Sequence, residues 1–381
     1  MRCVTLPLGD WLDVLERAYD PRWAEAWDAV GLVTGDPAQQ VIRAHLAIDP
    51  VEEVVDEAER RGATLLVTHH PLLLQGVHGV AETSYKGRLV SRLVRGGIAL
   101  YVAHTNADVA SPGVSDALAG ALGVRDCVPL EPARGSGAKV VVFVPSDSAD
   151  AVVDAMAAAG AGVIGDYTRC VWTTEGTGSF VAGDATDPAV GRPGEATSLP
   201  ELRVEMTVPP AAVDAVVAAM RTKHPYEEPA YDVIPTTLES NRGLGRIGAL
   251  ATPETLGAFA ARLADVLPTA PVGVRVAGDL QRAVRRVAVC GGAGDGAIDA
   301  ALAAGADAYV TGDLRHHVTR EAVERGLALV DVGHWASERP WLDDARDLLV
   351  SGLAARGRTV EVTVSDLVTD PWTAVHPGRT T

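Results

Sequence analysis

A chain of 381 residues, 47% hydrophobic, carries more apolar material than one compact core uses, so two or three domains are expected. Its net charge of −17 excludes a general nucleic-acid-binding surface, which would need a basic stripe, but leaves room for a nucleotide held at a metal. The four cysteines are widely spaced with no C-x-x-C pair, the start MRCVTLPLGDW lacks an apolar signal region, and no run reaches membrane-spanning length. A reduced, cytoplasmic, non-membrane protein is expected.

In chain order, the first element is a helix over about 10–19, with Trp11, Leu12 and Leu15 on one stripe. Trp23 and Trp27 read as core anchors, Asp28 as a cap, and Gly35-Asp36 as a turn. From Val41 a regular pattern begins: a strand over 42–48, a helix over 51–60 closed by Gly62, and a strand over 64–67. A helix over 86–95, closed by Gly96-Gly97, and a strand over 98–102 follow. This β-α-β-α-β order implies parallel pairing with right-handed crossovers. Two strand ends carry chemistry. Val67-Thr68-His69-His70-Pro71 holds two imidazoles where Pro71 stops the strand, and Ala103-His104-Thr105-Asn106-Ala107-Asp108 closes the next.

Residues 133–242 read as a separate inserted domain, entered through Pro132-Ala133-Arg134-Gly135-Ser136-Gly137. A strand over 139–144 and a helix to Ala158 repeat as a strand over 202–208 and a helix to Met220, with Val-Pro at both strand ends. Further short strands over 170–174, 180–182 and 231–234 complete a ferredoxin-like α+β sandwich, and 184–199 reads as an exposed loop. An insertion at a surface loop is tolerated where its ends lie close together.

The flanking segments, 1–132 and 243–381, read as two related α/β halves of one core. In the second half a strand over 287–290 leads into a glycine turn over 291–296 and a helix over 297–304. Gly305-Ala306-Asp307-Ala308-Tyr309-Val310-Thr311 then matches Gly62-Ala63-Thr64-Leu65-Leu66-Val67-Thr68 at Gly, Ala, Val and Thr. Gly326-Leu327-Ala328-Leu329 echoes Gly97-Ile98-Ala99-Leu100. The glycine turn lacks the spacing and the lysine of a phosphate loop, so a tight strand-to-helix turn is expected. A strand over 327–332 ends at Gly333-His334-Trp335-Ala336-Ser337-Glu338, where a helix would put His334 and Glu338 on one face. His69, His70, Asp108, His334 and Glu338 thus stand at strand ends, where open α/β sheets gather ligands, and form a carboxylate-rich metal set. His316-His317 also follows a strand, in reach of the same cleft, but with no carboxylate in register it reads as a supporting or structural pair.

These motifs, together with Tyr309-Val310-Thr311-Gly312-Asp313-Leu314-Arg315-His316-His317 and His224-Pro225-Tyr226-Glu227-Glu228-Pro229-Ala230-Tyr231-Asp232-Val233, resemble the NIF-three-like family over nearly the whole length. Members of that family are often labelled GTP cyclohydrolase 1 type 2 homologues. The resemblance implies two divalent metal ions per chain (Zn, Mn or Fe) held by His69, His70, Asp108, His334 and Glu338. It also implies a toroidal homohexamer and an insert similar to PII or CutA proteins. The chain departs from the family pattern at Ala29, where Asn is common, and at Trp335, where Tyr is frequent. The expected function is a metal-dependent hydrolase acting on a small nucleotide-like substrate, with His104 and His317 as candidates for proton transfer. The alternative is a non-catalytic metal-binding regulator or metal-handling protein that uses the insert as a sensor.

Overall fold

The structure, a computed structural model, describes residues 5–133, 135–238 and 240–376. The chain divides into two units, Met1–Ala133 with Asn241–Thr381, and Arg134–Ser240.

Strands Ala44–Ala47, Leu65–Thr68 and Ala99–Val102 of the larger unit are buried at every position. They read as unbroken apolar runs because a parallel sheet is covered on both faces. They pair in parallel in that order. Val362–Val364 extends the sheet in parallel beside Ala44–Ala47, and Gly31–Thr34 closes the other edge in antiparallel fashion beside Ala99–Val102. Alternation assigns the faces. Leu66 and Leu100 meet Val54, Val55, Leu89 and Leu93 of helices Glu52–Arg60 and Tyr85–Gly96. Leu65, Val67 and Tyr101 meet Trp11 and Leu15 of helix Leu8–Ala18 and Trp341 and Leu349 of helix Trp341–Ala354. Helix Tyr85–Gly96 starts where the Ser84 side chain accepts from the Gly87 amide, and ends at Gly97, whose φ of 63° suits glycine.

A second, six-stranded sheet in the same unit has the order Arg275–Ala277, Ala328–Asp331, Ala308–Gly312, Ala283–Ala293, Gly243–Thr255, Val124–Pro132. Its Ala283–Ala293, Ala308–Gly312 and Ala328–Asp331 strands run parallel, and the other pairings are antiparallel. The strands that match in sequence are therefore neighbours in both sheets: Leu65–Thr68 beside Ala99–Val102, and Ala308–Gly312 beside Ala328–Asp331.

Three expectations are corrected in this unit. Trp27 is not a core anchor: it is 60% exposed, in a loop with no helical stripe to turn it inward. Trp23 is half-buried, with the Arg242 guanidinium 4.1 Å from its ring centroid. The first half of the expected glycine turn is strand, which runs through Ala293 before the short 3-10 turn Asp295–Ala297. Helices Val114–Ala121, His316–Glu324 and Trp341–Ala354 were not anticipated.

The unit Arg134–Ser240 holds four antiparallel strands in the order Tyr231–Leu238, Gly135–Pro145, Ala196–Val208, Trp172–Val181. Helices Ala149–Ala158 and Val213–Lys223 cover one face, packing Val152, Met156, Val216 and Met220 on Val142, Val144, Val204 and Met206. The two short strands expected at 170–174 and 180–182 are one strand, Trp172–Val181. The strand Ala196–Val208 takes up the end of the expected loop. Both segments are exposed and polar, so the apolar alternation that would reveal them is missing.

Among the described residues, no helix is long and apolar enough to cross a membrane. Cys127, Cys170 and Cys290 are free thiols; Cys3 lies outside the described residues.

Arg246, 2% exposed, joins elements far apart in sequence. Its guanidinium donates to both oxygens of Asp116 at 2.7 Å and to the carbonyls of Gly243, Gly245 and Ala110. Replacing it with Met strands these acceptors, at a cost of ~3–5 kcal/mol. Arg246→Met should therefore lower the unfolding midpoint in denaturant clearly, while Arg320→Met on the surface should not.

Candidate metal centre

Backbone pairing carries the first two histidines past the end of their strand. The His69 amide donates to the Ala47 carbonyl at 3.2 Å and the His70 amide to that of Ile48 at 2.9 Å. The Thr68 hydroxyl donates to the His70 carbonyl at 2.9 Å, and Pro71 then ends the run. One strand over, Asn106 fixes the short helix Thr105–Asp108 by accepting from the His104 amide at 2.9 Å and donating to the Tyr19 carbonyl at 2.6 Å. In the second sheet, Gly333 turns at a φ of 84° into helix His334–Glu338. The Ser337 hydroxyl pins that helix, donating to the His334 carbonyl at 2.6 Å and accepting from the Gly292 amide at 2.8 Å.

Every imidazole of the cluster is held at Nδ1. His70 donates to Asp49 and His334 to Asp313, both at 2.7 Å, His104 to Asp28 at 2.9 Å, and His69 to the Ala103 carbonyl at 2.8 Å. Fixing Nδ1–H in this way presents Nε2 as the free ligand atom. The Nε2 atoms converge on Glu338: His334 stands 3.0 Å and His69 3.5 Å from Oε1, and His70 stands 3.2 Å from Oε2. Ligand atoms of His69, His70 and His104 form one group that could hold a metal, and those of His70, His334 and Glu338 a second, each within 4.8 Å. Asp108 stands beside these groups, Oδ1 3.7 Å from His69 Nε2.

The donor set fits a divalent ion. His69 Nε2 and Glu338 Oε2 are buried and lack a hydrogen-bond partner, an expensive state that metal coordination relieves. Mixed imidazole and carboxylate donors suit first-row metals, whereas structural zinc favours closed thiolate sets. Burial works against the Glu338 carboxylate, yet His70, His69 and the bond to His334 hold it well below the usual carboxylate range. Burial likewise opposes charge on His334, but the bond to Glu338 prevails and lifts it to about 9. His69 and His70 are raised against the same penalty, chiefly by Glu338. Burial pushes Asp108 up to about 6, and pushes His104 down, helped by the nearby His69.

His69, His70, His334 and Glu338 are thus brought together as the sequence suggests, with Asp108 at their edge. His104 lies in the cluster itself, within reach of a shared ligand position with His69 and His70. His317 does not join them: it is exposed on helix His316–Glu324, its ring against that of His316 at 5.1 Å. Asp28 does more than cap. Its fully buried side chain accepts from the Thr105 amide at 3.1 Å, as a cap would, and also orients His104. Sequence reasoning missed the roles of Asp49 and Asp313. Both follow strands, and Asp313 adopts a positive φ of 56°, but only the direction of the imidazole ring reveals what they do. The glycine-rich stretch also belongs to the site. A Cβ on Gly292 would stand 2.5 Å from Glu338 Oε1, at a φ of +70°.

The family described as Duf34/NIF3 (NGG1p interacting factor 3) matches residues 7–371. The chain belongs to that family. Among Duf34/NIF3 relatives, a Mycobacterium tuberculosis protein named GTP cyclohydrolase 1 type 2 homolog is 48% identical, with 98% of both chains covered. A Bacillus subtilis protein of the same name is 36% identical, covering 95% of this chain and 97% of its own. The solved structure of a Bacillus cereus protein related to NIF3 superposes with a TM-score of 0.81 at 37% identity, covering 98% of this chain and 100% of its own.

If Gly292 clears space for Glu338, Gly292→Ala should displace that carboxylate and lower metal affinity. Asp313→Asn, which loosens His334 alone, should lower it ~10–100-fold. Competition against a chromogenic chelator measures both.

Proposed function

We propose that this Duf34/NIF3 protein is a dinuclear metal-dependent hydrolase of a small nucleotide-like substrate. The observation that carries the reading is Glu338, whose two oxygens lie within 3.5 Å of three imidazoles: Oε1 near His334 and His69, Oε2 near His70. Glu338 together with His69, His70, Asp108 and His334 would hold the two ions.

Bound divalent ions supply Lewis acidity and make water a stronger acid. The chain supplies the rest. His104, its Nδ1 fixed on Asp28 and its basicity lowered by burial, is suited to accept and return a proton at Nε2. His317, which stays outside the cluster, has no part in this proposal. The partly exposed side chains of His70, His104 and His334 leave the cluster open to a substrate. Relatives that bear the name GTP cyclohydrolase 1 type 2 homolog make GTP the first substrate to test.

The reading extends to a cytoplasmic homohexamer and to a ferredoxin-like insert of the PII or CutA kind. The β-α-β-β-α-β order and the fourth-first-third-second strand arrangement of Arg134–Ser240 support the latter. Light scattering tests the assembly, and a monomer overturns that part.

Metal-loaded protein should open the GTP ring system, and Glu338→Ala should lose that activity. Turnover that survives the substitution, or no turnover with any nucleotide, counts against a hydrolase. Separately, Asp108→Ala with Glu338→Ala should cut bound metal from two ions per chain to one or none, read by elemental analysis.

Metal uptake should also depend on pH. With a value of about 9, the His334 ring is protonated at pH 7 and must release that proton to coordinate. Apparent affinity should therefore rise between pH 6 and 9, by up to ~tenfold per unit for each displaced proton. An isothermal titration in buffers of different ionisation enthalpy reads the released protons directly.

A further inference from the structure

A cavity of about 670 Å³ lies within the unit Arg134–Ser240, and the chemistry proposed above makes no use of it. Its volume falls in the range of small-molecule sites, ~300–1,000 Å³. It occupies the face of the sheet that the helices leave uncovered. Along strand Ala196–Val208, Val204, Met206 and Val208 point into the helical core, so Glu201 and Arg203 point the other way and line the cavity. Ala182, Pro188 and Ala189 wall one side, and the motif Tyr226-Glu227-Glu228 walls another.

The walls are aromatic. Phe180 and Tyr226 stand with ring centroids 6.2 Å apart and tilted by 59°, and Phe143 lines the cavity from the neighbouring strand. His224 fixes this arrangement. Its Nε2 donates to the Phe143 carbonyl at 2.9 Å and its Nδ1 accepts from the Tyr226 amide at 3.1 Å, so the motif His224-Pro225-Tyr226 is locked to the strand.

Among the described residues, the charged groups that line it are mostly acidic, and Glu201 has one oxygen left over. Glu201 is only 9% exposed. Its Oε1 accepts from the Tyr226 hydroxyl at 2.7 Å, while among the described residues no donor is bonded to Oε2. The carboxylate lies over Gly178, where a Cβ would stand 2.0 Å from Oε2, so glycine there makes its position possible. Glu175, Glu227 and Glu228 add negative charge around the cavity. Arg203, the one cation lining it among the described residues, is already engaged: its Nε donates to Glu205 at 2.8 Å and its guanidinium sits 5.7 Å from the Phe143 ring centroid.

A carboxylate with one oxygen free to accept, in a cavity that Phe143, Phe180 and Tyr226 also line and whose cation Arg203 is engaged, suits a positively charged donor. We propose that this cavity binds an organic cation, an ammonium or amidinium borne on a flat apolar body. The N–H donors reach Glu201, and the body lies among Phe180, Tyr226 and Phe143. An organic cation is favoured over a metal ion because, among the described residues, no group of three His, Cys, Asp or Glu ligands gathers here. The inference is independent of the hydrolase reading, since every residue it uses belongs to the second unit.

Calorimetric titration of the full-length, metal-loaded protein with benzamidine, phenethylamine, benzamide and benzoate tests it. At least one of the two cations should bind with one site per chain, and neutral benzamide and anionic benzoate should bind at least tenfold more weakly. Glu201→Gln keeps an acceptor for the Tyr226 hydroxyl but removes the charge, and should weaken the cation at least tenfold with metal content and melting temperature unchanged. Phe180→Ala provides a second variant on the apolar wall and should weaken it several-fold. No binding of either cation, equal binding of benzamide or benzoate, or unaltered cation affinity in both variants overturns the proposal.

Discussion

Glu338 sets the terms for the larger unit. A carboxylate that is 3% exposed cannot stay charged unless cations or donors surround it, and losing its solvation costs several kcal/mol. Its company comes from both sheets: His69 and His70 from the end of Leu65–Thr68, and His334 from its own short helix beside Ala328–Asp331. The ends of the two sheets must therefore meet within hydrogen-bonding distance. Gly292 and Gly312 permit that approach. A Cβ on Gly292 would strike Glu338, and one on Gly312 would stand 2.7 Å from the His334 amide nitrogen. Small residues at these strand ends are a steric requirement of the charge cluster.

The second requirement is orientation. An imidazole free to flip offers either nitrogen, and four such rings would seldom all present Nε2 to one point. Here a carboxylate or carbonyl holds each Nδ1, and two of those acceptors, Asp49 and Asp28, are themselves anchored. Asp49 also accepts from the Thr369 hydroxyl, and Asp28 from the Thr105 hydroxyl at 2.5 Å. The cluster is thus built before any ion arrives, so binding need not organise it. The same acceptors favour the protonated rings when no ion is present, which couples metal affinity to pH.

This division of labour explains what the sequence reveals. The three central parallel strands of the first sheet are legible because burial on both faces writes them as unbroken apolar runs. The clustered residues are legible because His and Glu at strand ends are unusual in an otherwise aliphatic chain. Asp49 and Asp313 are not, since an Asp after a strand is ordinary turn chemistry until the facing ring is known. Edge and antiparallel strands are faint for a different reason. Trp172–Val181 is exposed along nearly its whole length, and Gly243–Thr255 shifts register against both neighbours, so neither shows a clean period of two. Trp27 misleads because a large aromatic side chain suggests burial, whereas its ring stands at the surface, 6.1 Å edge-on from His104.

The internal repeat reaches further than the strands that reveal it. Allowing one extra residue at Gly333, His104-Thr105-Asn106-Ala107-Asp108 falls on His334-Trp335-Ala336-Ser337-Glu338, a histidine and a carboxylate four apart on a short helix in each half. The matched middle strands then put His69-His70 opposite Gly312-Asp313. One half thus spends its middle-strand end on two imidazoles that face the cluster. The other half spends it on a glycine that admits the His334 backbone and an aspartate that orients the His334 ring. The two carboxylates have diverged accordingly. Glu338, one methylene longer than Asp108, reaches three imidazoles and holds its charge, while Asp108 stops 3.7 Å from His69 and is pushed up to about 6. A symmetric pair of identical sites would place two buried anions face to face. Unequal lengths lessen that repulsion, leaving one carboxylate central and the other at the margin.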